Sequence, residues 1–269
     1  MAVDAIAKKQ YNDQISEQKK IISEIDKDIA ALKKAMSQNK KLEAFFHIGL
    51  ASKTLKQINT YLDMNEMSEK LMKLKNNNYL DTSKRLIGRL FQELEKVVTL
   101  AVDVPLNHNR QELNNIKPFN VQERLNLHKH IKRTIQRVVK GYGEGTKWKW
   151  TFPEFWGKLA IVTKNITDYR EIQANRDPRE EFFYDRQELL SIVKESLFDA
   201  SSQYRNKFEI SSKSTNDLVY AVKLLEDLRR IGSMTGDQEL SKKCKSGIES
   251  YKARIKSLQK KKNAKGKKK

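Results

Sequence analysis

The chain has 269 residues and a formal net charge of +20, with 54 basic and 34 acidic side chains. Apolar residues make up 38% of the sequence and charged residues 33%, and only ten glycines and four prolines interrupt it. This composition argues against a thick layered α/β domain and favours long amphipathic helices. No run of about 18 apolar residues occurs, so we expect no membrane-spanning helix.

The first predicted element is a long helix with a coiled-coil seam. Its apolar side chains recur with heptad spacing: Ile15, Ile22, Ile25, Ile29, Leu32 and Met36. Such a narrow stripe is marginal in water by itself and must be buried against another helix. The partner helix lies either in this chain or in another chain.

Local signals divide the middle of the chain into further helices. Three asparagines at 76–78 interrupt the pattern, and Asp81 begins a polar triplet that can cap a third helix. Residues 103–118 read as a loop. Asn120 and Glu123 then form a capping-box pattern at the start of a fourth helix, for which Gly141 is a plausible stop.

Residues 141–157, GYGEGTKWKWTFPEFWG, differ from the rest of the chain. We call this segment the aromatic connection. It holds all three tryptophans, and Trp148, Trp150 and Phe152 alternate, so in an extended segment they would share one face. The segment predicts either a hydrophobic plug that docks the connection onto the bundle or a surface that anchors a partner, and different rings can serve each role.

Helical patterning resumes after this segment and ends in a second seam. Asp177-Pro178 and Ser214 predict further helix starts. The seam of the last helix consists of Leu240, Cys244, Ile248, Tyr251, Ile255 and Leu258. A tail at 259–269 follows, for which we predict disorder; it serves as a solubilising segment or as an electrostatic tether to a polyanion or acidic surface. The tail contains Lys260, Lys261, Lys262, Lys265, Lys267, Lys268 and Lys269.

These elements predict an all-α fold, an elongated and bent helical bundle with long coiled-coil-like helices. Residues 1–78 are expected to form N-terminal coiled-coil-like helices. Residues 79–258 are expected to form a bundle interrupted by the aromatic connection, and 259–269 the tail.

Sequence motifs for catalysis or metal binding are missing. The stretch from Gly143 to Lys147 lacks the spacing of a phosphate loop, and no dinucleotide fingerprint or nucleophile elbow occurs. The four histidines and the single Cys244 do not form a zinc framework. We therefore expect no catalytic, cofactor or metal site and no enzymatic activity, and we read Cys244 as a small buried hydrophobe.

The residues most suited to binding a protein partner lie in the aromatic connection. Large rigid rings next to cations are typical of interface hot spots. The candidate residues are Tyr142, Lys147, Trp148, Lys149, Trp150, Phe152, Phe155 and Trp156.

The stretch WKWTFPEFWGKLAIVTKNITDYREIQANRDPREEFFYDRQELL, with the long helices around it, resembles the flagellar coiling protein A family, sheath proteins of leptospiral periplasmic flagella. The resemblance implies an all-helical, bent protein that coats one side of the filament and promotes its supercoiling for motility. It implies a sister coiling protein and the flagellin core as partners, filament assembly instead of a closed oligomer, and a periplasmic mature form that lacks its signal peptide.

Two other classes of function remain open. The net charge and the interleaved tryptophans and lysines are compatible with a basic nucleic-acid-binding protein, although no recognised DNA or RNA module occurs, so we do not expect nucleic acid as the partner. A helical module that binds anionic membranes is the other alternative.

Overall fold

The computed structural model describes residues 5–143 and 145–266, and this part of the chain is all-α. The described helices are α1 (Ala5–Gln38), α2 (Glu43–Met72), α3 (Asn77–Glu95), α4 (Arg110–Asn115), α5 (Val121–Tyr142), α6 (Phe152–Ile166), α7 (Tyr169–Ala174), α8 (Phe183–Lys207), α9 (Thr215–Thr235) and α10 (Gln238–Gly266). Short 3₁₀ helices span Lys40–Leu42 and Lys147–Thr151, and a π-helical turn spans Phe208–Ser212. The predicted fold class is confirmed.

The chain divides into two compact units. The first unit comprises Met1–Thr99, Gln111–Phe119 and Asn126–Lys149, and the second comprises Leu100–Arg110, Asn120–Leu125 and Trp150–Lys269. This division differs from the predicted boundary at residue 78, because α3 packs on α2 and therefore belongs with the N-terminal helices. The elongated and bent shape stays a prediction.

The first unit buries the predicted N-terminal seam within the chain. Ile25 and Ile29 of α1 pack with Leu50 of α2, and Leu32 and Met36 are partly buried against them. Polar contacts flank this seam: the Lys53 ammonium lies 2.7 Å from the carboxylate of Asp28, and the Gln57 amide donates to Asp26. The seam of α1 therefore finds a partner in α2 of the same chain.

Helix boundaries follow local capping chemistry, with some differences from expectation. Helix α3 begins after Asn76, whose side chain accepts hydrogen bonds from the next turn, and not at Asp81. The predicted capping box is present: Asn120 and Glu123 each accept the other's backbone N–H at about 3 Å. Helix α5 continues to Tyr142, and Gly143 ends it in a left-handed conformation with φ 82°.

The second unit is organised around α6, α8, α9 and α10. Leu197 of α8, Leu228 of α9 and Cys244 of α10 are buried in one core, and Tyr251 and Ile255 pack against it. The second predicted seam is therefore buried against neighbouring helices of the same chain.

Helix α10 continues to Gly266, so residues 259–266 of the predicted disordered tail are helical. Lysine is a good helix former, and no glycine or proline interrupts the segment between the seam and Gly266. Cations near a helix C-terminus are also stabilised by the helix dipole. Lys267, Lys268 and Lys269 lie outside the described residues.

Candidate interaction site

The aromatic connection is mostly helical, so the condition under which Trp148, Trp150 and Phe152 would share one face, an extended backbone, is not met. A 3₁₀ helix covers Lys147–Thr151, and α6 follows it directly with Pro153 in its first turn. Proline fixes a helical φ and has no N–H to leave unpaired at that position, so it promotes a helix start there. Glu144 and the side chain of Lys147 lie outside the described part.

The first unit holds the N-terminal half of the connection. Tyr142 is buried, and its hydroxyl donates to the carboxylate of Asp81 on α3. Lys75 donates to the carbonyl of Tyr142 at 2.8 Å. Burial, together with the hydrogen bond to Asp81, raises the pKa of Tyr142 well above its ordinary value. Tyr142 is thus an anchor that fixes the end of α5 to α3.

Trp148 packs beside this anchor. Its ring meets that of Tyr142 edge-on, with 6.2 Å between centroids and an interplanar angle of 62°. The ammonium of Lys84 lies 3.2 Å from the centroid of the Trp148 ring, a cation–π geometry. Such contacts contribute about 0.5–2 kcal/mol, so α3 holds this tryptophan in one orientation.

The second unit holds the C-terminal half of the connection. Phe152 and Phe155 are buried, with ring centroids 6.4 Å apart. Gly157 lies against Tyr204 of α8 so closely that a Cβ atom added there would come within 2.8 Å of the ring. The first turns of α6 are therefore packed tightly onto α8.

The side chains of the aromatic connection differ in how deeply they are buried. Tyr142, Phe152 and Phe155 are buried and serve as the plug. All three tryptophans, Trp148, Trp150 and Trp156, are half-buried, and Lys149 is exposed. In the first unit the connection thus presents part of the Trp148 ring and Lys149 to solvent, and in the second unit parts of the Trp150 and Trp156 rings.

Sequence reasoning missed Asp81 and Lys84 as parts of this site. They are three residues apart on α3, with 4.0 Å between the Lys84 ammonium and the Asp81 carboxylate. The i, i+3 spacing places them on one helix face, but no sequence signal connects that face to residues about 60 positions away.

A buried ion pair lies in the second unit, between α6 and α9. The Lys164 ammonium lies 2.7 Å from the carboxylate of Asp227, and both side chains have 0% exposure. Lys164 also donates to the carbonyl of Val102 at 3.1 Å, and Arg230 donates to Asp227 at 2.8 Å. Burial lowers the pKa of the Lys164 ammonium, and the Asp227 carboxylate partly offsets this effect.

His47 and Cys244 belong to residue types that often bind metal ions, and both side chains are buried. His47 lies 2.8 Å from the Glu93 carboxylate, and Cys244 is buried, which raises the pKa of its thiol. Among the described residues, no group of three or more histidine, cysteine or acidic side chains is placed to hold a metal ion. In the same part of the chain, no helix combines the length and apolarity needed to cross a lipid bilayer.

Comparisons with known proteins identify a family. The model of the TP0443 family, a spirochaete-type family, matches residues 7–259. No curated protein matches the chain. The chain is similar to a solved structure titled "DHF58 filament", with 11% identity, a TM-score of 0.43 and coverage of 91% of this chain and 99% of that one.

A second similar structure comes from work titled "Computational Design of Self-Assembling Cyclic Protein Homooligomers". It shows 13% identity, a TM-score of 0.28 and coverage of 91% of this chain and 96% of that one. Both TM-scores are below 0.5, so neither likeness bears on function.

Proposed function

We propose that this protein, which belongs to the TP0443 family, is a structural, non-catalytic filament-coat protein. The filament is the periplasmic flagellum of a spirochaete, where the coat promotes supercoiling for motility. Support for this assignment comes from the resemblance of residues 148–190 to flagellar coiling protein A. The same resemblance supplies the proposed partners, a sister coiling protein and the flagellin core, and the periplasmic location.

The observation that carries the proposal is the half-buried state of all three tryptophans within nine residues. A large ring that is partly exposed has apolar area to bury against a partner, and little rotamer entropy is lost when its backbone is already fixed. The buried rings of Tyr142, Phe152 and Phe155 supply that fixation. Preformed contact surfaces of this kind suit a coat that must impose shape on a filament.

Sedimentation with isolated flagellar filaments stripped of their coat tests the proposal. We expect Trp156→Ala to weaken co-sedimentation at least about tenfold, the loss typical of a hot-spot truncation. Its melting temperature should change little, because the ring is only half-buried. Trp156→Phe, which keeps an aromatic ring, should retain most of the binding.

Phe155→Ala serves as the matched folding control, because its side chain is buried in the adjacent position. We expect it to lower the melting temperature while the protein that remains folded still binds filaments. Two results would support the plug interpretation of Trp156 and contradict the proposed contact. One is normal co-sedimentation by folded Trp156→Ala, and the other is a loss of stability in that variant as large as in Phe155→Ala.

Binding to a polyanion is the alternative, and the exposed lysines of α10, such as Lys242, Lys245, Lys256 and Lys260, favour it. A salt-dependent mobility shift with generic DNA or RNA at about 50 mM salt would support nucleic-acid binding. Pelleting with anionic liposomes that high salt abolishes would support membrane binding. The coat proposal expects neither at physiological salt.

A further inference from the structure

The three longest helices of the second unit, α8, α9 and α10, pack side by side. Arg205 of α8 lies 5.9 Å from the ring of Tyr251, and Lys243 of α10 lies 4.5 Å from the ring of Phe198, so α8 and α10 run in the same direction. The ring of Tyr204 on α8 lies 4.5 Å from the ring of Tyr220 on α9, and these two helices are antiparallel. The helix starts of α8 and α10 therefore share one end of this bundle with the end of α9.

We call this end the acidic end. It comprises residues 176–188 and 230–239, which contain seven acidic and four basic residues, a net formal charge of −3. Of the four basic residues, Arg186 is buried beside Glu171 and Arg230 pairs with Asp227. An acidic surface is unexpected on a chain with a net charge of +20 and attracts cationic partners.

A cavity of about 540 Å³ opens at the acidic end. Its apolar walls are Ile172, Phe183, Leu190 and Met234, and the rest of the lining is polar and includes Gln187 and Arg176. Leu190 is buried, whereas Phe183 and Met234 are half-buried, so the cavity offers apolar surface that is not covered by the chain itself. The apolar wall of this cavity offers a branched apolar side chain a surface to pack against.

The opposite end of the bundle, which we call the basic end, comprises residues 205–217 and 252–266. These ranges contain ten basic and two acidic residues, a net formal charge of +8. Helix α10 supplies seven of the cations, and its described side chains Lys256 and Lys260 are exposed. The two ends thus carry opposite charge.

An apolar side chain projects from the basic end. The π-helical turn Phe208–Ser212 buries Phe208 in the core and leaves Ile210 with 68% of its surface exposed. Lys213 closes the turn in a left-handed conformation with φ 50°. π-Helical turns are uncommon and recur at functional sites. The turn presents an exposed isoleucine at an end of the bundle whose net formal charge is positive.

We propose that Ile210 of one copy of this chain inserts into the cavity at the acidic end of a second copy. The inference rests on the proposed function, since a coat needs contacts between neighbouring subunits. The contact joins two different surfaces, so it does not close on itself, and repetition generates a row of subunits. The opposite charges of the two ends orient the encounter and disfavour like-to-like pairing.

Two variants separate the two halves of the contact. Ile210→Glu places a charge at the inserted position, and Gln187→Trp fills the mouth of the cavity; both side chains are exposed, so folding is little affected. Val219→Glu, at an exposed apolar position on α9, is the matched control. Sedimentation velocity is measured on the full chain, freed of nucleic acid, over rising protein concentration at about 50 mM salt.

We expect the wild-type chain and Val219→Glu to form dimers and longer oligomers, and each contact variant alone to associate at least about tenfold more weakly. An equimolar mixture of Ile210→Glu and Gln187→Trp should form dimers that grow no further, because one intact isoleucine meets one intact cavity. High salt should weaken the wild-type association.

Several results would overturn the inference. The first is a wild-type chain that stays monomeric, and the second is normal association of Ile210→Glu. The third is a mixture of the two variants that forms no dimer, which is the result that a symmetric contact would give. Association only when nucleic acid is present would assign the basic end to a polyanion instead. Filament co-sedimentation is unaffected by these outcomes and tests the coat function separately, so the two proposals can fail independently.

Discussion

Removal of the Asp227 carboxylate gives the most direct test of the second unit's packing. In Asp227→Ala, Lys164 would keep its hydrogen bonds to backbone carbonyls but lose the carboxylate that lies 2.7 Å from its ammonium. Loss of one partner from a buried ion pair typically costs about 3–5 kcal/mol, because an uncompensated charge is left behind.

The free energy of unfolding that Asp227→Ala loses has an upper limit. Lys164 can release its proton instead of remaining charged. At pH 7, about 3.4 pH units below the ordinary lysine pKa, this costs about 1.36 kcal/mol per unit, or roughly 4.6 kcal/mol. Because the folded pKa of Lys164 is then below its unfolded value, the unfolded chain binds more protons. The stability of the variant should therefore rise as the pH increases from 7 towards 10.

Urea denaturation followed by circular dichroism measures this effect. We expect Asp227→Ala to lose about 3–4.5 kcal/mol at pH 7 and less at pH 9.5, and Lys164→Met/Asp227→Leu to lie within about 2 kcal/mol of the wild type. The reasoning is refuted if Asp227→Ala loses less than about 1 kcal/mol, or if its deficit does not shrink with rising pH.

Three further predictions concern packing, capping and titration. Gly157→Ala should cost about 1–3 kcal/mol in thermal or urea unfolding, because its Cβ would lie 2.8 Å from the ring of Tyr204. Gly88→Ala, whose Cβ would meet nothing within 4 Å, should stabilise by about 0.5–1 kcal/mol, and equal effects at both positions would contradict the packing. Asn120→Ala should cost about 1 kcal/mol by urea unfolding, and an unchanged midpoint would argue against the capping box. Burial and the nearby Glu154 raise the pKa of Tyr220 to about 12. The contribution of this tyrosine to the free energy of unfolding is therefore complete below about pH 10 and is lost as the pH rises towards 12. Tyrosinate absorbance and unfolding midpoints measured against pH should show this, and ionisation of all tyrosines near pH 10 in the folded state would contradict it.

Features encoded in short sequence distances were predictable. The heptad that contains Ile25 and Ile29 predicted a helix with a buried stripe, and α1 buries these residues against α2. The capping box of Asn120 and Glu123 was predictable because its donors and acceptors lie within one helical turn. The fold class follows from such local signals.

Features that depend on distant contacts were not predictable. Asp81 has the chemistry of a helix cap, but its carboxylate accepts a hydrogen bond from Tyr142, 61 residues away. Lysine side chains are usually exposed, but Lys164 is buried because acceptors from two distant segments contact its ammonium. The division of the aromatic connection into buried anchors and half-buried tryptophans likewise depends on which helices pack beside it.

The buried pair of Lys164 and Asp227 also constrains how the sequence can vary over evolutionary time. A substitution at either position alone leaves a charge inside the bundle, whereas two apolar side chains of similar volume are tolerated. Positions 164 and 227 should therefore change together among relatives of this chain. They should carry either opposite charges or two apolar residues, and sequences with only one of the two charges should be rare.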